Sequence, residues 1–345
     1  MKINSIIKGV PSSYKINDCT NYIYINSDDI LKIYNNQGII VKVDELNKPK
    51  ATIISNCNTW IGNPILYRST ILNETLEPIK EVDYLASTWK AVDDFSTKNY
   101  IYATVYKKDS LKKIGKISKK DFDIEELYDF EIGFGSIYLV ISDVFFISIS
   151  INKIGLFNFE NEAIWQHSYS DLLDEEDTKI STEIVEVSGV VYFLLHGGGK
   201  HECFGLNANT GEIVKRISNI VGDIIVENEF IYFLHSEIIT IYNTQNDKII
   251  TWEIENLMIE KGIERLWFPR WAIDNGLIYF SQSKGADRNS DNVGARFGVL
   301  DPTKKELLWH DKLPLENGII GSIKVNQNRI YLHTQDQTLF VYEKE

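Results

Sequence analysis

Short runs rich in Ile, Val, Tyr and Phe alternate along the chain with clusters of Asn, Asp, Gly and Lys, and hardly any stretch carries a helical stripe. This pattern predicts strands almost throughout, because β-branched and aromatic side chains pack well on a pleated surface while the polar clusters supply turns. The acidic stretch SDLLDEEDTK is the best candidate for a helical turn.

The strands recur in a fixed grammar. From Asp223 to Ile254, DIIVENEFIYFLHSEIITIYNTQNDKIITWEI reads as strand, tight turn, strand, tight turn, strand, polar turn, strand. Equivalent stretches begin near Asn21, Asp143 and Val190, and others surround LIYFSQ with GVLDPTKKELLWHDKL and close the chain as IKVNQNRIYLHTQDQTLFVYEKE. Each predicts one four-stranded antiparallel meander. Taking the aromatic residue of the second strand as a marker gives Tyr24, Tyr67, Tyr102, Phe146, Tyr192, Tyr232, Tyr279 and Tyr331. Their spacing averages about 44 residues, within the period of four-stranded propeller blades.

The expectation is therefore an all-β fold: residues 1–345 as a single β-propeller domain of seven or eight four-stranded antiparallel blades. The count turns on residues 44–86, either an irregular blade or an insertion, where Tyr67 in NPILYRSTIL is the weak marker. The last copy has only three strands, about Ser322–Val325, Arg329–His333 and Leu339–Tyr342, so its outer strand is missing. KINSII, within residues 1–8, is expected to fill that place and close the ring, covering an exposed edge.

The turn between third and fourth strands carries the most specific signal. GLNANTGEIVKRI, GVLDPTKKELLWHDKL, IYNTQNDKIITWEI and GLFNFENEAIWQHS each end a strand on Asn or Asp, pass through a polar turn and enter an apolar strand, usually with Trp. Asn and Asp accept turn conformations, Gly38 and Gly211 can take positive φ, and Trp165, Trp252 and Trp309 are expected to fill space between blades. This grammar resembles the PQQ-like (quinoprotein-dehydrogenase-like) propeller repeat over the last two-thirds of the chain. Quinone-dependent dehydrogenases of that class usually show adjacent cysteines near the cofactor and a secretory signal. Neither is found here, so the resemblance implies a non-catalytic member without a cofactor.

Charge narrows the partners. Thirty-six Lys and Arg against 49 Asp and Glu give a net charge of −13. That balance disfavours nucleic acid and anionic membranes, which need basic side chains to neutralise phosphates, and suits a basic protein partner. The N-terminal residues lack a signal-peptide pattern and no apolar run approaches the ~18 residues of a membrane span. Cys19, Cys57 and Cys203 are far apart and odd in number, which suggests neither a disulfide framework nor a zinc site and makes a cytoplasmic location the default.

Four segments could carry chemistry or recognition. HGGGKH supplies His196, Lys200 and His201 among three glycines, but lacks the spacing and hydroxyl of a phosphate loop, and its weightier reading is a plain turn. KGADRNSDNVGAR, with Arg288, spaces Asp287, Asn289 and Asp291 like calcium ligands, yet has Asn292 where glycine belongs and no closing glutamate. A solvated contact loop fits it better. RLWFPRWAID brings together Trp267, Phe268, Arg270 and Trp271, residue types common at interaction hot spots and equally at home in inter-blade packing. Asp174, Glu175, Glu176 and Asp177 form the strongest acidic cluster, a solvated face that could also steer a basic partner.

No Ser-His-Asp or Cys-His set and no placed carboxylate pair stands out. The functional expectation is a non-enzymatic, protein-binding propeller, in its most concrete form a bacterial immunity protein that neutralises a toxin. The rival from another class is a small-ligand-binding or enzymatic propeller using the central channel.

Overall fold

The computed structural model describes residues 1–27, 30–44, 50–55, 57–88, 93–108, 110–129, 137–263, 266–267, 269–283 and 294–344. Among them are eight four-stranded sheets, numbered here as blades 1–8 in chain order. Blade 2 settles the count: residues 44–86 contain a full blade, with strands Lys50–Ser55, Asn58–Asn63, Arg68–Leu72 and Pro78–Val82. Seven of the eight markers lie in second strands, whereas Tyr67 falls in the following turn and the buried aromatic of that second strand is Trp60. The expected helical turn is present as Tyr169–Leu173, capped by the Ser168 hydroxyl, which accepts from the Asp171 amide. A second short helix, Glu255–Glu260, was not expected.

The chain forms two compact units. One comprises Met1–Tyr14, Tyr34–Val41 and Ile220–Glu345, and so contains blades 6, 7 and 8; the other comprises Lys15–Ile33 and Lys42–Asn219.

In the first unit the expected closing strand is in place. Lys2–Lys8 pairs antiparallel with Thr338–Glu343, from Lys2 opposite Glu343 to Lys8 opposite Thr338, and completes blade 8. Trp252 packs with Ile278, Phe280 and Leu300 of blade 7. Trp309 meets Phe297 at 5.1 Å and Tyr342 of blade 8 at 6.4 Å between ring centroids. Both tryptophans therefore fill space between neighbouring blades.

In the second unit Trp165 does the same. Its indole N–H donates to the Ala208 carbonyl at 3.0 Å, and a Cβ on Gly211, whose φ is +73°, would lie 2.7 Å from its ring. Blades 2 and 3 are joined by an edge-on Trp60–Phe122 contact, and blades 3 and 4 by the Tyr102–Phe159 stack at 4.6 Å.

The repeated Asn or Asp has a defined task. Side-chain oxygens of Asn158, Asn207, Asn243 and Asp301 accept from backbone amides two residues on, at 2.9–3.1 Å, so each closes the turn that follows its strand. Asn35 and Asn73 do the same in blades 1 and 2.

The cysteine expectation is corrected. Cys19 and Cys57 form a disulfide with Cα atoms 5.3 Å apart, linking the turns after the first strands of blades 1 and 2. Sequence separation hid this pairing, because the blade repeat returns equivalent turns to neighbouring positions 38 residues later. Asn17 braces the bridge: its amide N–H donates to the Cys57 carbonyl and its oxygen accepts from the Cys19 amide. Cys203 is free and buried. No helix among the described residues is long and apolar enough to cross a membrane.

Candidate functional site

Strand alternation decides at which edge of its own sheet each segment lies. In a four-stranded antiparallel meander, the turn between second and third strands lies at the same edge as the connection arriving from the preceding blade. Three of the candidate segments, over their described residues, belong to this edge of their sheets, termed here the 2–3 edge. Residues 174–177, and 266–267 with 269–270, are in blade-to-blade connections, while 196–201 form the reversal between second and third strands of blade 5.

HGGGKH is a tight hairpin. His196 pairs with His201 and Gly197 with Lys200, leaving Gly198 and Gly199 at φ +54° and +80° to make the reversal. The imidazoles lie across from one another with centroids 6.1 Å apart. The structure joins this turn to the acidic cluster: Lys200 Nζ lies 2.8 Å from Glu175 Oε1. Hydrogen bonding to that carboxylate holds the Lys200 ammonium above its usual pKa. A Cβ on Gly198 would meet the same carboxylate at 2.4 Å, the far end of a flexible side chain that can shift, so it is the φ of +54° that favours glycine there. The turn reading therefore accounts for His196, Lys200 and His201, and Glu175 is engaged within the fold. Asp174, Glu176 and Asp177 remain exposed.

The aromatic group divides. Trp271 is 8% exposed and packs with Trp252, Leu266 and Leu300. Arg270 is exposed, but Nε donates to the Gly321 carbonyl of blade 8 at 3.0 Å and its backbone N–H donates to Ser281 Oγ. Trp267 is 44% exposed. With Arg270, Pro269, Leu234, His235 and Asp223 it lines a pocket of about 420 Å³. Phe268 and Arg288, with the calcium-like Asp287, Asn289 and Asp291, lie outside the described residues.

A second pocket, of about 400 Å³, lies between blades 3 and 4 of the other unit, lined by Phe95, Tyr102, Tyr106, Ile114, Ile137 and Lys112. Burial pushes the Tyr102 hydroxyl well above its usual range, and it donates to the Asp143 carbonyl at 3.1 Å. Among the described residues, no group of three or more His, Cys, Asp or Glu could hold a metal ion.

Sequence reading passed over another feature of the 2–3 edge. Ile65 and Leu66 in blade 2, Leu111 in blade 3 and Ile151 in blade 4 sit in turns and are 55%, 52%, 83% and 93% exposed. The available signal was an apolar residue at a turn position, in NPILYR, KKDSLKK and SINK.

No protein-family model matches this chain and no curated protein matches it. Solved structures do. BamB from Moraxella catarrhalis superposes with a TM-score of 0.56 at 12% identity, over 99% of each chain. The computationally designed Ika8 protein gives 0.54 at 10% identity, over 99% of this chain and 96% of that one. The β-propeller domain of Myceliophteria thermophila Cps50 (Swd1) gives 0.51 at 8% identity, over 100% and 99%. At such identities the likeness shows the fold alone, which is a β-propeller.

Proposed function

We propose that this β-propeller is a non-enzymatic protein-binding module that engages its partner through the 2–3 edge. The fold is compatible with a protein-binding scaffold. The observation that carries the reading is Trp267, a large ring left 44% exposed beside the anchored Arg270 at the rim of a pocket of about 420 Å³. A preorganised aromatic ring and cation next to a concavity are what hot spots use, because little side-chain entropy is lost on binding. The finer reading is a bacterial immunity protein that neutralises a toxin, supported by the net charge of −13 and the exposed Asp174, Glu176 and Asp177, which would steer a basic partner. The cytoplasmic part of this reading loses the support it drew from the cysteines, since disulfides persist mainly in oxidising compartments.

The test is affinity capture from source-organism lysate with wild type beside Trp267→Ala. A stoichiometric protein retained at least tenfold less by the variant supports the site; equal retention overturns it. Failure of co-expression to protect cells from any captured toxin would sink the immunity version.

A second reading, small-ligand binding, is favoured by the aromatic pocket at Tyr102. Thermal-shift screening with small aromatic anions, wild type against Tyr106→Ala, tests it: no stabilisation of either protein removes this reading.

A further inference from the structure

Turns at a protein surface are normally polar, yet three consecutive blades of the second unit end their second strands in aliphatic tips. Ile65 and Leu66, then Leu111, then Ile151 project from the 2–3 edge of blades 2, 3 and 4. The other described turns at this position differ: Gly198–Gly199 in blade 5, Ser236 in blade 6 and Asp336 in blade 8. Leu111 and Ile151, 83% and 93% exposed, contribute nothing to the core, so folding does not explain these two.

The tips of blades 2 and 4 are braced by side-chain hydrogen bonds within their turns. Asn63 Oδ1 accepts from the amides of Ile65 and Leu66 at 3.0 and 3.1 Å, and Ser150 Oγ accepts from the Lys153 amide at 3.0 Å behind Ile151. Each also stands beside basic side chains. Lys107, Lys108 and Lys112 are exposed around Leu111, Lys153 follows Ile151, and Arg68 follows Tyr67. Arg68 is paired with Asp83 at 2.7 Å, and the neighbouring Lys113 with Asp129 at 2.5 Å. In a chain of net charge −13 this concentration of lysine is a local reversal of sign.

The next connection along the same edge, from blade 4 to blade 5, is acidic, with Asp174, Glu176 and Asp177 exposed. The edge is therefore charge-segregated: aliphatic and basic over blades 2–4, acidic beyond. A bilayer surface of uniform negative charge would gain on one part and lose on the other. A protein can carry the complementary division, with an apolar centre rimmed by charge.

We infer that the turn tips of blades 2–4 form a second docking surface, whose occupant is a protein segment combining aliphatic or aromatic residues with Asp and Glu. This rests on the protein-binding reading but not on the Trp267 pocket, which lies in the other unit.

The experiment is selection from a random displayed-peptide library on immobilised wild-type protein, followed by binding to Leu66→Ser/Leu111→Ser/Ile151→Ser and to Trp267→Ala. The triple variant changes only turn tips, and an unchanged thermal midpoint certifies its fold. Expected are peptides enriched in Asp or Glu with Leu, Ile or Phe, whose binding weakens at least tenfold on the triple variant and with added salt, and is unchanged by Trp267→Ala. Recovery of no peptides, of basic ones, or of peptides that bind the triple variant equally overturns the inference. Peptides lost only on Trp267→Ala would leave the protein-binding reading standing and remove this surface. Sedimentation of wild type, but not the triple variant, with phosphatidylglycerol vesicles would overturn it in favour of a bilayer.

Discussion

His333 Nε2 donates to the carbonyl of Val10 at 2.6 Å, a buried hydrogen bond spanning 323 residues of chain. It fastens the second strand of blade 8 to the segment that leaves the closing strand. Tyr14 continues the clasp, with its ring 5.3 Å from the imidazole and its hydroxyl 3.2 Å from Ser322 Oγ. Replacing His333 by Ala leaves the Val10 carbonyl without its partner, a change that costs about 1–3 kcal/mol. Denaturant unfolding should report that loss, and limited proteolysis should show earlier cleavage before Tyr14. Unchanged stability would mean that the closing strand holds without the clasp.

The Cys19–Cys57 bridge closes a loop across two blades. Reduction, or Cys57→Ser, should destabilise the protein by about 2–4 kcal/mol through the freed chain entropy of the unfolded state. Thiol titration checks the pairing directly: no reactive thiol in the native protein, one after unfolding, and all three after unfolding with reductant. Burial pushes the Cys203 thiol far up, which keeps it inert in the native state.

Alkaline pH should unfold the protein through its tyrosines. Burial pushes Tyr14 and Tyr84 up to about 12 from the usual 10.0 of a tyrosine, and Tyr232 and Tyr279 likewise. The folded state then holds these phenolic protons more tightly than the unfolded chain does. Their contribution is complete below pH 10 and is lost as pH rises from there through about 12. Unfolding free energy measured against pH should be level up to that window and then fall. Tyr84→Phe should make the fall shallower, though it also removes the hydrogen bond to the Phe122 carbonyl.

Two glycines separate backbone strain from crowding. Gly189 and Gly211 both have positive φ, but a Cβ meets nothing within 4 Å at Gly189 and lies 2.7 Å from the Trp165 ring at Gly211. Gly189→Ala should therefore carry only the left-handed penalty of about 1–2 kcal/mol. Gly211→Ala should add an overpacking penalty of about 1–3 kcal/mol. Equal melting shifts for the two variants would show that the Trp165 contact adjusts freely.

The blade grammar was legible because it is local. Asn207, Asn243, Asn158 and Asp301 close turns within four residues of themselves, so their role is written in consecutive letters. Tyr67 misled because it is an aromatic residue at the expected spacing, while Trp60, the buried one, lies seven positions earlier; spacing alone does not report burial. The disulfide was hidden for the opposite reason, since it depends on two turns meeting in space. Of the candidate site, the sequence located Trp267 and the acidic cluster. It did not separate exposed Trp267 from buried Trp271, nor reveal that Lys200 is occupied by Glu175, because both depend on neighbouring blades.

The closing strand also fixes an order of events. Lys2–Lys8 is synthesised long before its partner Thr338–Glu343. Among the described residues, the other strand pairings join consecutive strands of one blade, through hairpins that can form as they are synthesised. Blade 8 cannot be completed until Thr338–Glu343 has emerged, so the nascent chain carries Lys2–Lys8 unmatched while the intervening blades are made. That interval, when an apolar segment waits for a partner not yet made, is when the protein is most open to wrong pairing. Lys2 and Lys8 at the two ends of the strand are suited to keep it soluble until Thr338–Glu343 arrives.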